Sequence, residues 1–428
     1  MAVACGIYDY RIALGVFVAI AGIVGLILFY NVRTFSTIIL PLYYLIIIDH
    51  VVFALVTLFI ITFLADRANR ANFTVQIPYP LLLSLLLAAS ANGAVRALDK
   101  DIGRYLFEYA FLIPIIVFVL YYNLKNSTEE ITTHLTVIAA VTSIIGWISL
   151  AKWILTGIPR EMFRWDSQNP AGCFMGMMLP FALISLIDAG DKKSRMFWVL
   201  VFAGVLAGIL VTQTRAVLVS LMVAMLYVAS KDKNILKVML PAILVAGIAL
   251  PSLIIYRLAM LLGMGDNPDW SSVGRVQIWM NSLEYIPKYF WLGMGMDSFR
   301  TKYMADFPYS FIHAKHVHNV YLKWLFDIGV FGLFAYLAII SKSLLNAMNA
   351  VKKYLSKATE ADRRLLLGIN GGLISCLAAS LVDATLHQTP LAMLLWTFLA
   401  FQLVIVARMR SEFENSALDE MLLETGKR

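Results

Sequence analysis

The chain has 428 residues, of which 60% are hydrophobic and 14% charged, with a formal net charge of +8 and a mean hydropathy of +0.77. A water-soluble domain carries about 25% charged residues, so this composition excludes a soluble enzyme and predicts an integral membrane protein. The three cysteines, Cys5, Cys173 and Cys376, are scattered without paired spacing and indicate neither a disulfide framework nor a zinc knuckle.

The apolar residues fall in blocks of about 20, the length that crosses a hydrocarbon core of roughly 30 Å as a helix. Alternating barrel strands are absent. The expected fold class is all-α: a polytopic membrane protein with about twelve transmembrane helices and one large extramembrane loop. In chain order, nine spans are predicted within residues 1–256, at 12–31, 43–64, 77–94, 105–122, 131–153, 170–187, 196–212, 215–230 and 235–256. The first has no small-residue cleavage site behind a short apolar core and reads as a retained span. The second, "LPLYYLIIIDHVVFALVTLFIITFL", contains Asp49 and His50, which leaves the path of 32–64 open.

An insertion over 257–317 is rich in Gly, Pro, Asp, Trp and Tyr. Within it Val276, Trp279, Met280 and Leu283 recur at i, i+3, i+4 and i+7, which predicts a helix lying flat in the membrane interface. Three more spans follow at 318–340, 365–382 and 389–407, then a tail over 408–428. Lysine and arginine cluster in alternate loops, at Lys192, Lys193, Arg195, Lys231, Lys352, Lys353, Arg363 and Arg364 among others. The positive-inside rule therefore predicts cytoplasmic termini and an outward-facing insertion.

The outer loops hold mostly arginine: Arg33, Arg96, Arg104, Arg160, Arg164, Arg215, Arg257, Arg275 and Arg300. Arginine forks two donors toward a phosphate, although lipid headgroups alone would also account for such residues. Arg215 stands at the mouth of the eighth span after a very short turn, "TQTRA". There the unpaired first-turn amides and the guanidinium together form an anion site, with Thr212, Thr214 and Gln213 adding donors. An arginine snorkelling to headgroups is the bland alternative. Arg275 follows Gly274 at the start of the interfacial helix, and Arg164 lies in "REMFRWDSQNP"; either also fits an ordinary surface arginine.

His313, His316 and His318 fall within six residues, directly before a span. His318 opens that span with Asn319 beside it. A helix N-terminus disfavours imidazolium, so a neutral imidazole able to accept a proton is expected, or else a simple helix-capping histidine. No carboxylate or cysteine flanks the three histidines. A catalytic zinc needs three good ligands and an orienting second shell, so neither a metal nor a cofactor is expected. Asp327 and Asp383, at membrane depth or its edge, should each pair with something, orienting an arginine or a histidine or else locking the fold.

"HVHNVYLKWLFDIGVFG" resembles the His-Asn signature, with its following acidic residue and spaced glycines, of the bacterial O-antigen ligase and polymerase superfamily. "TQTRA" is similar to the arginine motif of the ligases. "SVGRVQIWMNSLEYIPKYFWLGMGMDSF" resembles the start of their large periplasmic loop, and "LVDATLHQTP" a serine-aspartate stretch near their C-terminal end. The likeness spans residues 160–400.

This resemblance implies a helical glycosyltransferase fold of the C type in the bacterial inner membrane. It implies transfer of a polysaccharide from undecaprenyl pyrophosphate to a hydroxyl of lipid A–core on the periplasmic face during lipopolysaccharide assembly, without nucleotide or metal. Carried over, Arg215 and Arg275 hold the pyrophosphate and His318 deprotonates or orients the acceptor hydroxyl. Arg164, Gln213, Asn319, His316 and Asp383 are then substrate contacts. The expected partners are the lipid-linked donor, the lipid A–core acceptor and membrane lipids, with no nucleic acid. Valine before His318 and the "DATLHQTP" variant depart from the family pattern at the acceptor side. Competing readings are a polymerase of the same superfamily, a secondary transporter or flippase, and a membrane scaffold. A transporter would show internal repeats and midplane charges in broken helices, and neither stands out.

Overall fold

The computed structural model describes residues 32–46, 49–68, 74–158, 160–163, 165, 167–232, 235, 237, 270–308, 314, 316–354 and 360–425. The predicted span 12–31 and most of 235–256 lie outside them. Among the described residues every regular element is helical, and six helices are long and apolar enough to cross a membrane. The protein is an all-α, multi-pass membrane protein.

After helical turns over 32–46, the longer helices are α1 (Asp49–Ala68), α2 (Pro80–Arg96), α3 (Lys100–Leu124), α4 (Thr128–Thr156), α5 (Gln168–Asp188), α6 (Lys192–Thr212) and α7 (Arg215–Lys231). Beyond the insertion come α8 (Trp270–Leu283), α9 (Ser298–Asp306), α10 (Val320–Lys353), α11 (Glu360–Ala379) and α12 (Thr389–Thr425). The starts follow from local chemistry. Asp99 and Asp191 accept first-turn amides of α3 and α6, and Ser127 with Glu130 forms a reciprocal capping box on α4. Where a tail was expected from residue 408, α12 continues to Thr425, supported by an Arg410–Glu414 pair one turn apart.

The two ends of the bundle differ in chemistry. At one end α5, α7, α10 and α12 begin and α6 and α11 finish. There Val320 N donates to Ser380 O at 3.0 Å and joins α10 to the end of α11. The other end is ion-paired. Arg364 meets Asp188, Arg363 meets Asp232, and Arg408 grips Asp362 through two nitrogens at 2.6 and 2.8 Å. Between the ends a buried polar chain crosses four helices. Ser343 Oγ donates to Gln402 Oε1 at 2.8 Å, Gln402 Nε2 to Asn370 Oδ1 at 2.5 Å, and Asn370 Nδ2 to the Tyr227 hydroxyl at 3.2 Å. Such bonds act as glue where lipid provides no hydrophobic drive between helices. Gln402→Leu orphans both neighbours and is expected to cost about 2 kcal/mol. A thermal midpoint in detergent equal to that of the parent protein would contradict this.

The helix α10 is broken at Gly329 (φ 74°, ψ 178°). Phe326 O and Val330 N, partners in an unbroken helix, turn instead to Met294 N at 2.6 Å and Phe290 O at 2.8 Å. The strand of chain 290–296 thus satisfies the backbone groups the break frees, as a low-dielectric setting requires. A Cβ on Gly329 would collide with Trp291 O, and its dihedrals lie in a region open only to glycine. Gly329→Ala is therefore expected to cost roughly 3 kcal/mol or more and to sharply lower the yield of monodisperse protein on size exclusion. Near the break Lys323 Nζ reaches Asp327 Oδ2 at 2.8 Å and Asp297 Oδ1 at 3.7 Å, so Asp327 locks the fold as one of its predicted roles.

Cys173 and Cys376 meet thiol to thiol at 3.7 Å as free, buried cysteines. A helix forms over the predicted residues as α8, with Val276, Met280 and Leu283 exposed, but Trp279 leaves that stripe and turns inward. Its indole N–H donates to Val317 O at 2.8 Å, a bond the apolar stripe does not offer.

Candidate functional site

His318 is set by its neighbours on both sides. Before it, Val317 O receives the Trp279 indole. After it, Asn319 caps α10, with Oδ1 accepting from Leu322 N at 2.9 Å and Nδ2 donating to Leu381 O at 2.8 Å. Between these anchors His318 adopts a left-handed backbone, φ 50°. Such a conformation in a residue other than glycine costs on the order of 1 kcal/mol and persists only where the surroundings impose it.

The ring so placed faces Asp383, which is 4% exposed. His318 Nδ1 lies 3.3 Å from Asp383 Oδ1, and His316 Nε2 lies 3.7 Å from the same oxygen. Oδ1 also accepts from Ala384 N at 2.8 Å, and Oδ2 accepts from Asn169 Nδ2. Burial pushes the Asp383 carboxyl up, but hydrogen bonds from His316 and His318 outweigh it and hold the group well below the usual carboxylate range. An ionised carboxylate only accepts, so the proton of a neutral His318 sits on Nδ1. Nε2 then keeps its lone pair, the requirement for a proton acceptor.

A third imidazole joins from the same turn. The His316 ring lies 4.3 Å from His318 and 6.4 Å from His387. Burial, and then the charge of Lys323, push His387 down to about 3, so it stays neutral and does not compete for Asp383. His387 is the residue that adds to the predicted histidine group, while His313 lies outside the described residues.

Arg215 opens α7 beside this cluster. Gln213, left-handed at φ 49°, ends α6, and a two-residue turn leads into α7. Thr214, the residue before Arg215, makes no side-chain cap; its hydroxyl donates to Asn169 Oδ1 at 3.2 Å. Two side chains, Asn169 and Asp383, therefore bridge the arginine-bearing helix end to His318. Arg275 stands on α8 one turn before Trp279, on the face that turns toward Val317, and is half-buried. Among the described residues no hydrogen bond joins Arg275 to the Asp383 cluster. Arg164 lies outside the described residues.

No carboxylate flanks the histidines in the sequence, and the one that reaches them, Asp383, arrives from 65 residues downstream, in the histidine-pairing role expected of it. Ligand atoms of His316, His318 and Asp383 lie within 4.8 Å of one another, a donor set that could hold a divalent cation. The hydrogen bond from His318 Nδ1 to Asp383 Oδ1 and a metal held between those two atoms exclude each other. As it stands, the geometry is a carboxylate-oriented imidazole and, tied to it through Asn169 and Thr214, the helix N-terminus that carries Arg215. That pair can take a proton from a hydroxyl on one side and stabilise a leaving anion on the other.

Asn169 was not legible as a site residue. "QNP" before an apolar run reads as a helix start, since proline fits the first turn, and nothing local points to a partner 214 residues away.

Residues 198–337 match the family model described as O-antigen ligase. The matched segment contains Arg215, Arg275, His316 and His318 and stops before Asp383. A search of curated proteins finds no match.

Proposed function

We propose, on the premise that residues 198–337 form a domain of the O-antigen ligase family, that this membrane protein ligates a lipid-linked polysaccharide to a lipid acceptor. The donor is undecaprenyl-pyrophosphate-linked O-antigen, the acceptor a hydroxyl of lipid A–core, and the place the periplasmic face of the bacterial inner membrane. The observation that carries this reading is the His318–Asp383 pair linked through Asn169 to Thr214 at the head of the Arg215 helix.

In this mechanism His318 Nε2 takes the acceptor O–H proton, and the imidazolium formed is stabilised by Asp383. The acceptor oxygen bonds to the anomeric carbon as the bond from that carbon to the pyrophosphate oxygen breaks. Negative charge grows on the departing lipid pyrophosphate, where Arg215, the first-turn amides of α7 and Arg275 receive it. His316 and Gln213 line the substrate side, with Arg164 a further phosphate contact. Asn319 we assign to positioning, because both ends of its carboxamide are occupied within the fold. The ion-paired end of the bundle, rich in Arg363, Arg364 and Arg408, faces the cytoplasm with both termini.

The test is reconstitution of the purified protein in nanodiscs with undecaprenyl-pyrophosphate glycan and lipid A–core. Glycan on lipid A–core is the expected product. A lengthened glycan on the carrier would instead establish a polymerase, the reading that shares the matched segment, and absence of any transfer would overturn both. Because no step needs a metal, a chelator is expected to leave the rate within about twofold, whereas removal of one donor from a working site costs about 100-fold. Loss of activity on chelation, restored by a divalent cation, would assign the His316–His318–Asp383 set to metal binding.

A further inference from the structure

We infer that Asn169 is a positioning residue that keeps the proton acceptor and the anion end of the site in one register, an inference that rests on the transfer reaction proposed above. Its carboxamide is shared between two partners of opposite demand. Nδ2 donates to Asp383 Oδ2, and Oδ1 accepts from Thr214 Oγ1 at 3.2 Å. A carboxamide donates and accepts through separate atoms without ionising, as these two partners require.

The consequence for Asp383 is that each oxygen has a fixed duty. Oδ2 is taken by Asn169, and Oδ1 is left for Ala384 N and His318 Nδ1. Remove Asn169 and Oδ2 loses its donor, so the two oxygens no longer have separate duties and the carboxylate can turn between Ala384 N and His318. His318 then loses its fixed acceptor and can hold its proton on Nε2, the atom that has to be empty. The other end of the amide faces the residue before Arg215, so the same side chain also sets the distance between the phosphate seat and the base. Errors of about 1 Å in such a distance cost on the order of 100-fold in rate.

Asn169→Asp separates this role from a merely structural one. At neutral pH the introduced carboxylate opposes Asp383 and offers it no donor. As the pH falls, two carboxyls that close share a proton, and an O–H donor toward Asp383 reappears. The ratio of variant to parent kcat is therefore expected to climb from about 1/100 at high pH toward about 1/10 on acidification, with the donor KM within about threefold throughout. Asn169→Ala has nothing to protonate, so its ratio stays low and flat. A flat ratio for Asn169→Asp, or parent-like kcat for Asn169→Ala, would overturn the inference.

A second readout needs no turnover. In protein labelled with ¹⁵N-histidine, the His318 resonances should report the Nδ1–H form in the parent and a mixture of tautomers in Asn169→Ala. The same tautomer in both sinks the inference whatever the activity. A tautomer shift in a parent protein that transfers no glycan leaves Asn169 as the positioning residue and overturns the proposed reaction instead.

Discussion

His318→Ala is expected to lower glycan transfer by about 1,000-fold, within the range that loss of a positioned general base produces. The effect should lie in kcat, because the imidazole acts on the acceptor proton as the bond forms, while the arginines that seat the donor remain. Alanine is uncomfortable at φ 50°, so a second variant separates chemistry from folding. Asn accepts the left-handed region several-fold more readily than most residues and lacks a basic nitrogen. His318→Asn is therefore expected to keep parent-like thermal stability and to be as inactive as His318→Ala. Asp383→Asn should approach the same loss, since an amide in place of the carboxylate can donate to Nδ1 and force the proton to Nε2. Appreciable transfer by a folded His318→Asn protein would remove the base from the mechanism.

Arg215→Ala is the second large effect, expected at about 100- to 1,000-fold in kcat/KM for the lipid-linked donor. The guanidinium sits on the first turn of α7, where amide dipoles already favour an anion, so charge and dipole act on the same phosphate. Arg215→Lys retains the charge and loses the two-pronged geometry, and it should recover only part of the rate. Neither change touches the Asn169–Asp383–His318 chain, so the His318 tautomer should be unaltered in both. A donor KM and kcat close to the parent in Arg215→Ala would mean that the pyrophosphate is held elsewhere.

The positions of the helices were largely legible because a chain in lipid satisfies its backbone groups within each span, which ties hydropathy directly to helix position. What the pattern missed was set by tertiary contacts. The Gly329 break in α10 is stabilised by Met294 and Phe290 from a different segment, and a lone glycine in an apolar run does not announce it. Trp279 left its expected face because Val317 O was within reach.

The site divides in the same way. Arg215 and His318 stand out because each is a charged or titratable group at the mouth of an apolar span. The chemistry that joins them is carried by Asn169 and Asp383, 214 residues apart, and only the packing of α5 against α11 brings them together. In that packing Gly372 lies so close to Met177 O that a Cβ there would collide with it. Sequence reading thus picked out Arg215, His318 and Asp383, and left Asn169, which links them, to be seen in the fold.

The most direct test is a cryo-electron microscopy structure of the protein in a nanodisc with an undecaprenyl-pyrophosphate glycan bound. The expected result places the pyrophosphate at the N-terminus of α7 against Arg215, with the first sugar beside His318. Phosphate density at the ion-paired opposite end of the bundle, or in contact with neither Arg215 nor the turn that carries His318, would contradict it.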